Sequence, residues 1–467
     1  MPSRAARRAQ AREAGRTHPR PGPRVEPLEP TGGRRVLFLG DTAGTGFGTV
    51  TRDLGLAMVR RGMDVRILSM NEDAGFTTDP GWPAELKPRT VMLGLADGWL
   101  GGVTGPQAAG ILQQALGVFS GQTIPGWTPE DVLICGDHAS LEMSPWQKLL
   151  PKELPAWHYV PIEGVGLPPS WAKLWARVKP IAMTEFGADE IAKVTGERPP
   201  VVYHGIDPES FWQLSATRPM TLMLPKGKSA ILRSKTDARE FLGWPQGATI
   251  LFRADRHMPR KAYPAMLRQL APVLARHKDV MLMLHCRTID QGGNLWHESS
   301  KYPDFIRDRI SSTGFHDQAG GVPRELLTVM YNAADLYVST CAEGFGLTVA
   351  ESLACGTPAV ALAYSSLPEV VGPAGVLVDD YALIDNIYSY FWAIPKGDGY
   401  ERAVEQLVGD RAELARLGRL GPSHVARFDW GIAAAQVDAI LSGAEAPKPE
   451  VPAARRLAAL GLVGGRS

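Results

Sequence analysis

"DLYVSTCAEGFGLTVAESLACGTPAVALA" runs from Asp335 to Ala363 and holds the fold in miniature. "DLYVST" (335–340) is a short apolar run and reads as a buried strand. Cys341 to Phe345 form the loop leaving its carboxyl end. A helix starts near Leu347 and stops before "CGTP", and "TPAVALA" (357–363) is the next strand, opened by Pro358. Strand, loop, helix, strand is the repeating unit of a parallel α/β sheet.

The same pattern extends outward. "ATILFRA" (248–254) is a strand, "AYPAMLRQLAPVLARH" (262–277) a helix that starts late or bends because of Pro264 and Pro272, and "DVMLMLHC" (279–286) a strand. "VPRELLTVMYNAA" (322–334) is a helix with Pro323 in its first turn, and "GVLVDD" (375–380) closes this half. The N-terminal half repeats the design. "RRVLFLGD" (34–41) is a strand, "TAGTGFG" a glycine loop, "TVTRDLGLAMVRRG" (49–62) a helix closing on Gly62, and "DVRILSM" (64–70) a strand. "EDVLICGDH" (130–138), "AWHYVPIEG" (156–164), "PIAMTEFGADEIAKVTG" (180–196) and "PPVVYHGID" (199–207) continue it, the last as the final strand of this half. The fold class is therefore α/β, with two Rossmann-like parallel-sheet domains facing a central cleft. Ligands of such sheets sit at the carboxyl ends of the strands.

The domains divide as a disordered basic tail (1–33), an N-terminal domain (34–215), a connecting loop within 208–236, a C-terminal domain (237–424), a closing helix near 425–443 and a flexible tail (444–467). Residues 1–35 carry nine Arg against three Glu, although the whole chain nets only +1. Rich in Pro and Gly and without aromatics, this opening cannot offset its ordering entropy. It lacks the apolar core of a secretory signal. It is either a solvated tail or an arm making weak anionic contacts with phosphates or membrane. With 44% hydrophobic and 21% charged residues the 467-residue chain is an ordinary globular protein. Its near-neutral balance gives no field for nucleic acid, and no apolar run reaches transmembrane length. Cys135, Cys286, Cys341 and Cys355 have no C-x-x-C spacing and read as buried reduced thiols of a cytoplasmic protein, not a metal or disulfide set.

The opening stretch also holds two carboxylates, Glu343 in the loop and Glu351 in the second turn of the helix, with seven residues between. In that gap Phe345, Gly346, Leu347 and Thr348 bring backbone N–H groups to a helix N-terminus, which suits a phosphate. Carboxylates on either side accept strong hydrogen bonds from sugar hydroxyls. The pattern reads as a nucleotide-sugar site: ribose, diphosphate, hexose. "FRADRHMPRK" (252–261) leaves another strand end with Arg253, Arg256, Arg260 and Lys261. With no D-x-D-type acidic cluster, fixed cations would neutralise a leaving phosphate without a metal.

Glu343-x7-Glu351 in this context, with Arg256 and Lys261 upstream, resembles the family 4 retaining glycosyltransferases of GT-B fold. "GFGTVTRDLGLAMVRRGMDV", "HGID", "LLTVMYNAADLYVST", "SSLPEVVG" and "VARFDWGIAAAQVDAIL" (425–441) extend the likeness over most of residues 34–443. The resemblance implies that Glu343 holds the donor hexose and Glu351 the ribose. Phe345 to Thr348 would line diphosphate and sugar, and Arg256 and Lys261 would stabilise the departing charge, with Arg253 as the alternative to Arg256. It also implies front-face transfer of a hexose to an acceptor hydroxyl, with UDP- or GDP-sugar as co-substrate and no cofactor. Gly44, Gly46 and Gly48 fail the dinucleotide fingerprint, since its third glycine falls on Thr49. In this family the loop approaches acceptor and donor phosphate. Alternatively it is a plain tight turn.

His138, at the end of a strand, is a candidate for the reacting centre, with Asp137 competing. Glu163 is a candidate for acceptor contact and Glu369 for support near the donor. His204 reads as a domain-edge residue, and Trp171 and Trp175, four apart, as core. The acceptor (glycan, lipid, protein or modified DNA) is not encoded in any readable pattern. The rival functions are a GT-B-like epimerase or phosphorylase and a degenerate sugar- or nucleic-acid-binding protein. A phosphorylase would need a pyridoxal lysine that no motif marks.

Overall fold

The computed structural model describes residues 32–69, 81–92, 127–143, 150–313 and 322–445. Most of the expected N-terminal tail and all but two residues of the expected C-terminal tail lie outside them.

The first domain is a six-stranded sheet of β1 (Arg35–Gly40), β2 (Asp64–Ser69), β3 (Thr90–Met92), β4 (Asp131–Cys135), β5 (Ala156–Val160) and β6 (Lys179–Ala182). All pairings are parallel, in the order β3-β2-β1-β4-β5-β6. The second domain has β7 (Thr249–Ala254), β8 (Val280–His285), β9 (Ile310–Ser312), β10 (Leu336–Val338), β11 (Ala359–Leu362) and β12 (Gly375–Val378). These too are parallel, in the order β9-β8-β7-β10-β11-β12. Both sheets are thus wound alike, though no sequence repeat marks it. Their strands are apolar runs because helices cover both faces.

The helices that position the cleft are α1 (Gly46–Arg60), α2 (Glu185–Thr195), α3 (Tyr263–Arg276), α4 (Arg324–Ala333), α5 (Leu347–Ala354), α6 (Leu367–Val371), α7 (Arg411–Val425) and α8 (Trp430–Ser442). Asp429 caps α8 by accepting from Ile432 N at 2.8 Å. This last helix leaves the second domain and packs Ala433, Val437 and Ile440 into the first domain's core beside Leu54 and Met58. Arg61 pairs with its Asp438 at 2.9 Å. The glycine of "HGID" is fixed by that return: a Cβ on Gly205 would lie 2.2 Å from Trp430 N.

Three sequence expectations need correction. Residues 199–207 are not a strand, since Val201 makes only an isolated bridge to Ala182. The connection expected as a loop holds an antiparallel hairpin, Met220–Met223 with Ser229–Leu232. The helix expected to start late or bend does not start late: it begins at Tyr263, with Pro264 in its first turn, where no N–H is needed, and Pro272 inside. A second antiparallel hairpin, absent from the sequence expectations, pairs Tyr381–Asp385 with Phe391–Pro395. It reaches the first domain: Phe391 N donates to Val165 O at 3.0 Å, and Tyr364 Oη accepts from Val165 N at 3.0 Å while donating to Phe391 O at 2.7 Å. The Glu369 carboxylate likewise crosses, accepting from Glu185 N (3.0 Å) and Phe186 N (2.8 Å) at the start of α2 and from Tyr203 Oη (2.7 Å).

Candidate active site

The loop from β10 to α5 turns on Gly346, whose φ of 98° only glycine adopts freely. Among the described residues no side chain caps α5, which leaves its first N–H groups without a side-chain acceptor. Ser366 Oγ ties the loop down by donating to Glu343 O and Phe345 O, each at 2.8 Å. Ser365, itself at φ 52°, accepts from Glu343 N at 3.1 Å. A non-glycine residue held in the left-handed region beside this loop is the kind of strain that clusters at functional sites.

Glu343 is buried among cations. Lys261 Nζ contacts Oε1 and also Asp255 Oδ1 at 2.7 Å. Arg260 Nη1 reaches Oε2 at 3.2 Å, and Cys341 Sγ donates to Oε1 at 3.2 Å. Burial alone would raise this carboxyl, but Lys261 and Arg260 outweigh it and hold it below the usual carboxylate range. Arg260 also spans the cleft, its Nε 3.2 Å from Glu163 Oε2 at the end of β5. Asp255, Cys341 and Glu343 have metal-ligand spacing, yet the Lys261 ammonium already bridges the two carboxylates.

Arg253 is corrected by the structure. Its side chain is fully buried and spent on Asp255 (3.1 Å), Thr340 Oγ1 (2.9 Å) and Lys261 O (2.6 Å), so it positions the cationic loop and cannot touch a donor. Arg256 lies on Asp290 at 2.9 Å and is half exposed, apart from Glu343 in this structure. The neighbour that does reach Glu343 is Arg260, which sequence reasoning noted among the cations without choosing.

Glu351 lies buried in α5, accepting from Tyr331 Oη at 2.8 Å. Burial pushes its carboxyl up to about 8. Asp53 of α1 adds to that rise, and is itself raised to about 6 by burial despite its pairs with Arg52 and Arg324. Folding therefore takes up a proton at Glu351, and stability falls as pH climbs from the ordinary carboxylate range toward 8. Glu351→Gln removes that loss. Its melting temperature should exceed the wild type's by on the order of 5 °C above about pH 8 and converge with it near pH 5. Parallel pH profiles would show that Glu351 does not titrate this way.

The other predicted residues separate. Leu347 packs against the cores of both domains, and Tyr337 Oη donates to Thr348 Oγ1 at 2.9 Å. The Phe345 side chain is buried in an aromatic cluster with His204 (4.8 Å) and Phe428 (5.1 Å), which leaves its backbone as the part suited to a ligand. In the glycine loop, Thr45 caps α1 through Gly48 N, and a Cβ on Gly48 would lie 1.9 Å from Ala43 O. Gly46 meets no such limit, and Gly44 is exposed. His138 is not at an open cleft edge: it is buried, stacked on Trp171 at 4.0 Å and edge-on to Trp175 at 4.6 Å. Its burial lowers the imidazole to about 2, so it is neutral.

Residues 247–390 match the family model described as glycosyl transferases group 1. The D-inositol 3-phosphate glycosyltransferase of Thermomonospora curvata is 34% identical over 42% of this chain and 48% of its own, and that of Rhodococcus opacus 30% over 51% and 50%. The chain thus spans about half the length of the curated relatives it matches. Among solved structures, sucrose-phosphate synthase from Thermosynechococcus elongatus superposes with a TM-score of 0.63 at 18% identity, covering 88% of this chain and 98% of that one. Anabaena HepE in complex with UDP and glucose gives 0.60 at 16%, covering 88% and 100%. Two like-wound sheets with a returning helix and these superpositions show the GT-B fold, and within it residues 247–390 are similar to the glycosyl transferases group 1 model, in agreement with the family 4 resemblance.

Proposed function

We propose that this chain is a retaining glycosyltransferase that moves a hexose from a nucleotide-diphosphate sugar to an acceptor hydroxyl without a metal. The observation that carries the reading is Glu343, kept as a carboxylate by Lys261 and Arg260 beside the uncapped start of α5. A carboxylate so held accepts hexose hydroxyls well and serves poorly as a proton donor. The adjacent N–H groups suit the diphosphate, and Glu351 suits the ribose. HepE, which shares the fold, is described in complex with UDP-glucose.

In the front-face reaction the acceptor oxygen attacks the anomeric carbon on the side of the leaving group. The bond from that carbon to the phosphate oxygen breaks, and the acceptor proton passes to that oxygen. The nucleoside diphosphate departs with its charge balanced by Lys261 and Arg260, and by Arg256 if it leaves Asp290. The protein supplies orientation and preorganised charge. Fixed cations at the Asp255–Cys341–Glu343 cluster do the work a divalent ion would otherwise do.

A thermal-shift screen of UDP-, GDP- and ADP-sugars tests this. One nucleotide class should stabilise the chain by about 2.7 kcal/mol at a hundredfold excess over Kd. The same donor should be slowly hydrolysed, at a rate indifferent to EDTA. If no member of the panel binds or is hydrolysed, the reading is wrong, and loss of turnover on chelation would refute its metal-free form.

A further inference from the structure

The candidate active site lies at the carboxyl ends of the second sheet, and a separate cavity lies at the amino ends. It measures about 440 Å³ and is lined in part by Asp335, which precedes β10, and by Thr357 and Pro358, which precede β11. Small-molecule pockets span about 300–1,000 Å³. Its walls are firm. α7 crosses the end of α5 on two glycines: a Cβ on Gly418 would lie 2.5 Å from Gly356 O, and one on Gly421 2.3 Å from Leu353 O. On another wall Asn332 of α4 holds the connecting segment, accepting from Leu214 N at 2.8 Å and donating to Trp212 O at 2.9 Å.

The charge on this lining is one-sided. Lys235, Arg411 and Arg419 stand against a single acid, Asp335. Asp335 is already spent, accepting from Lys235 Nζ at 2.7 Å, from the buried Arg239 at 2.5 Å and from Ile250 N at 2.8 Å. Arg411 is largely exposed and donates to Thr249 Oγ1 at 3.0 Å, while Asp279 stands off at 4.0 Å. Glu413 of the same helix is taken by Arg416 at 2.6 Å. Arg419 has no hydrogen-bond or ion-pair partner among the described residues. Arg411, Ala415 and Arg419 are spaced four apart and so share one face of α7. Leu414, Ala415 and Pro358 add an apolar wall.

We propose that this cavity is a second ligand site, apart from the donor cleft, and that it takes a small phosphate ester such as a sugar phosphate. Guanidinium forks match phosphate oxygens, and a concave surface of one sign concentrates anions. The apolar wall suits the carbon skeleton of an ester, which inorganic phosphate lacks. This site is independent of the transferase reading.

Calorimetric titration of the full chain with glucose 6-phosphate, ribose 5-phosphate, inorganic phosphate and glucose tests it. At least one ester should bind, several-fold more tightly than inorganic phosphate, and glucose should not bind. Arg419→Ala should weaken the ester about tenfold. Ala415→Trp keeps every charge but fills the cavity, and should abolish ester binding. Both positions are exposed, so neither variant disturbs the core. The proposal is overturned if no ester binds, if glucose or inorganic phosphate binds as tightly as the esters, or if either variant leaves the ester's affinity unchanged. An affinity that resists the variants would put the phosphate in the donor cleft instead. The panel holds no nucleotide, so failure here leaves the transferase reading standing.

Discussion

Glu343→Ala should lower kcat by about 10²- to 10³-fold while leaving nucleoside diphosphate affinity within a few-fold of wild type. The expected split follows from where the carboxylate sits. It stands on the loop before α5, and the proposed function gives it the hexose while leaving the diphosphate to the backbone of α5 and the nucleoside to Glu351. Its removal also leaves Lys261 and Arg260 buried with one anion fewer. Breaking a buried pair outright costs about 3–5 kcal/mol, but Lys261 keeps Asp255 at 2.7 Å and Arg260 keeps Glu163 at 3.2 Å, so the loss should be smaller than that. Because the Glu343 carboxyl is held low in the folded state, this stabilisation is present above the ordinary carboxylate range and fades as pH falls through it. The stability gap between wild type and variant should therefore close on acidification. Glu343→Gln retains the shape and separates charge from volume: its kcat should fall nearly as far as that of the alanine variant. Full activity in either variant would refute the assignment of Glu343 to the hexose.

How much of this was legible beforehand depends on whether a residue acts through its neighbours in sequence or across the cleft. The stretch 335–363 encodes its strand, loop and helix locally, and α5 runs from Leu347 as its pattern predicts. Glu343 and Glu351 could be assigned to the loop and the helix for the same reason. The three arginines of 253–260 could not be sorted, because each is sorted by a distant partner. Thr340 and Cys341 bury Arg253, Asp290 draws Arg256 outward, and Glu163 with Glu343 draws Arg260 in. His138 was expected at the end of a strand, but the strand stops at Cys135 and His138 opens the helix His138–Met143, and its enclosure by Trp171 and Trp175 depends on residues more than thirty positions on. The hairpin 381–395 was missed because its turn, "NIYSY", carries none of the Asn-Gly or Asp-Gly signals that mark tight hairpins. The "RK" doublet at 260–261 was the one local hint of paired cations.

The glycine before Phe345 is the clearest case of a residue whose demand comes from the other domain. A Cβ on Gly344 would lie 2.3 Å from Pro161 Cβ and 3.1 Å from Pro161 Cα, just beyond the end of β5. Neither side yields easily, since the proline ring is stiff and the loop is pinned by Ser365 and Ser366. Gly344→Ala should therefore push the donor loop and the first domain apart by roughly 1 Å, a misplacement able to cost about 10² in kcat. The clash lies between domains, so each sheet keeps its own core, and far-ultraviolet circular dichroism and nucleotide affinity should change little. Pro161→Gly removes the opposing Cβ. Added to Gly344→Ala it should restore at least about tenfold of the lost rate, although alone it gains nothing. Such a rescue distinguishes a blocked approach of the domains from local damage to the loop. If Gly344→Ala is fully active, the two domains do not need this approach during turnover. If the double variant is no better than the single one, the defect lies within the donor loop itself.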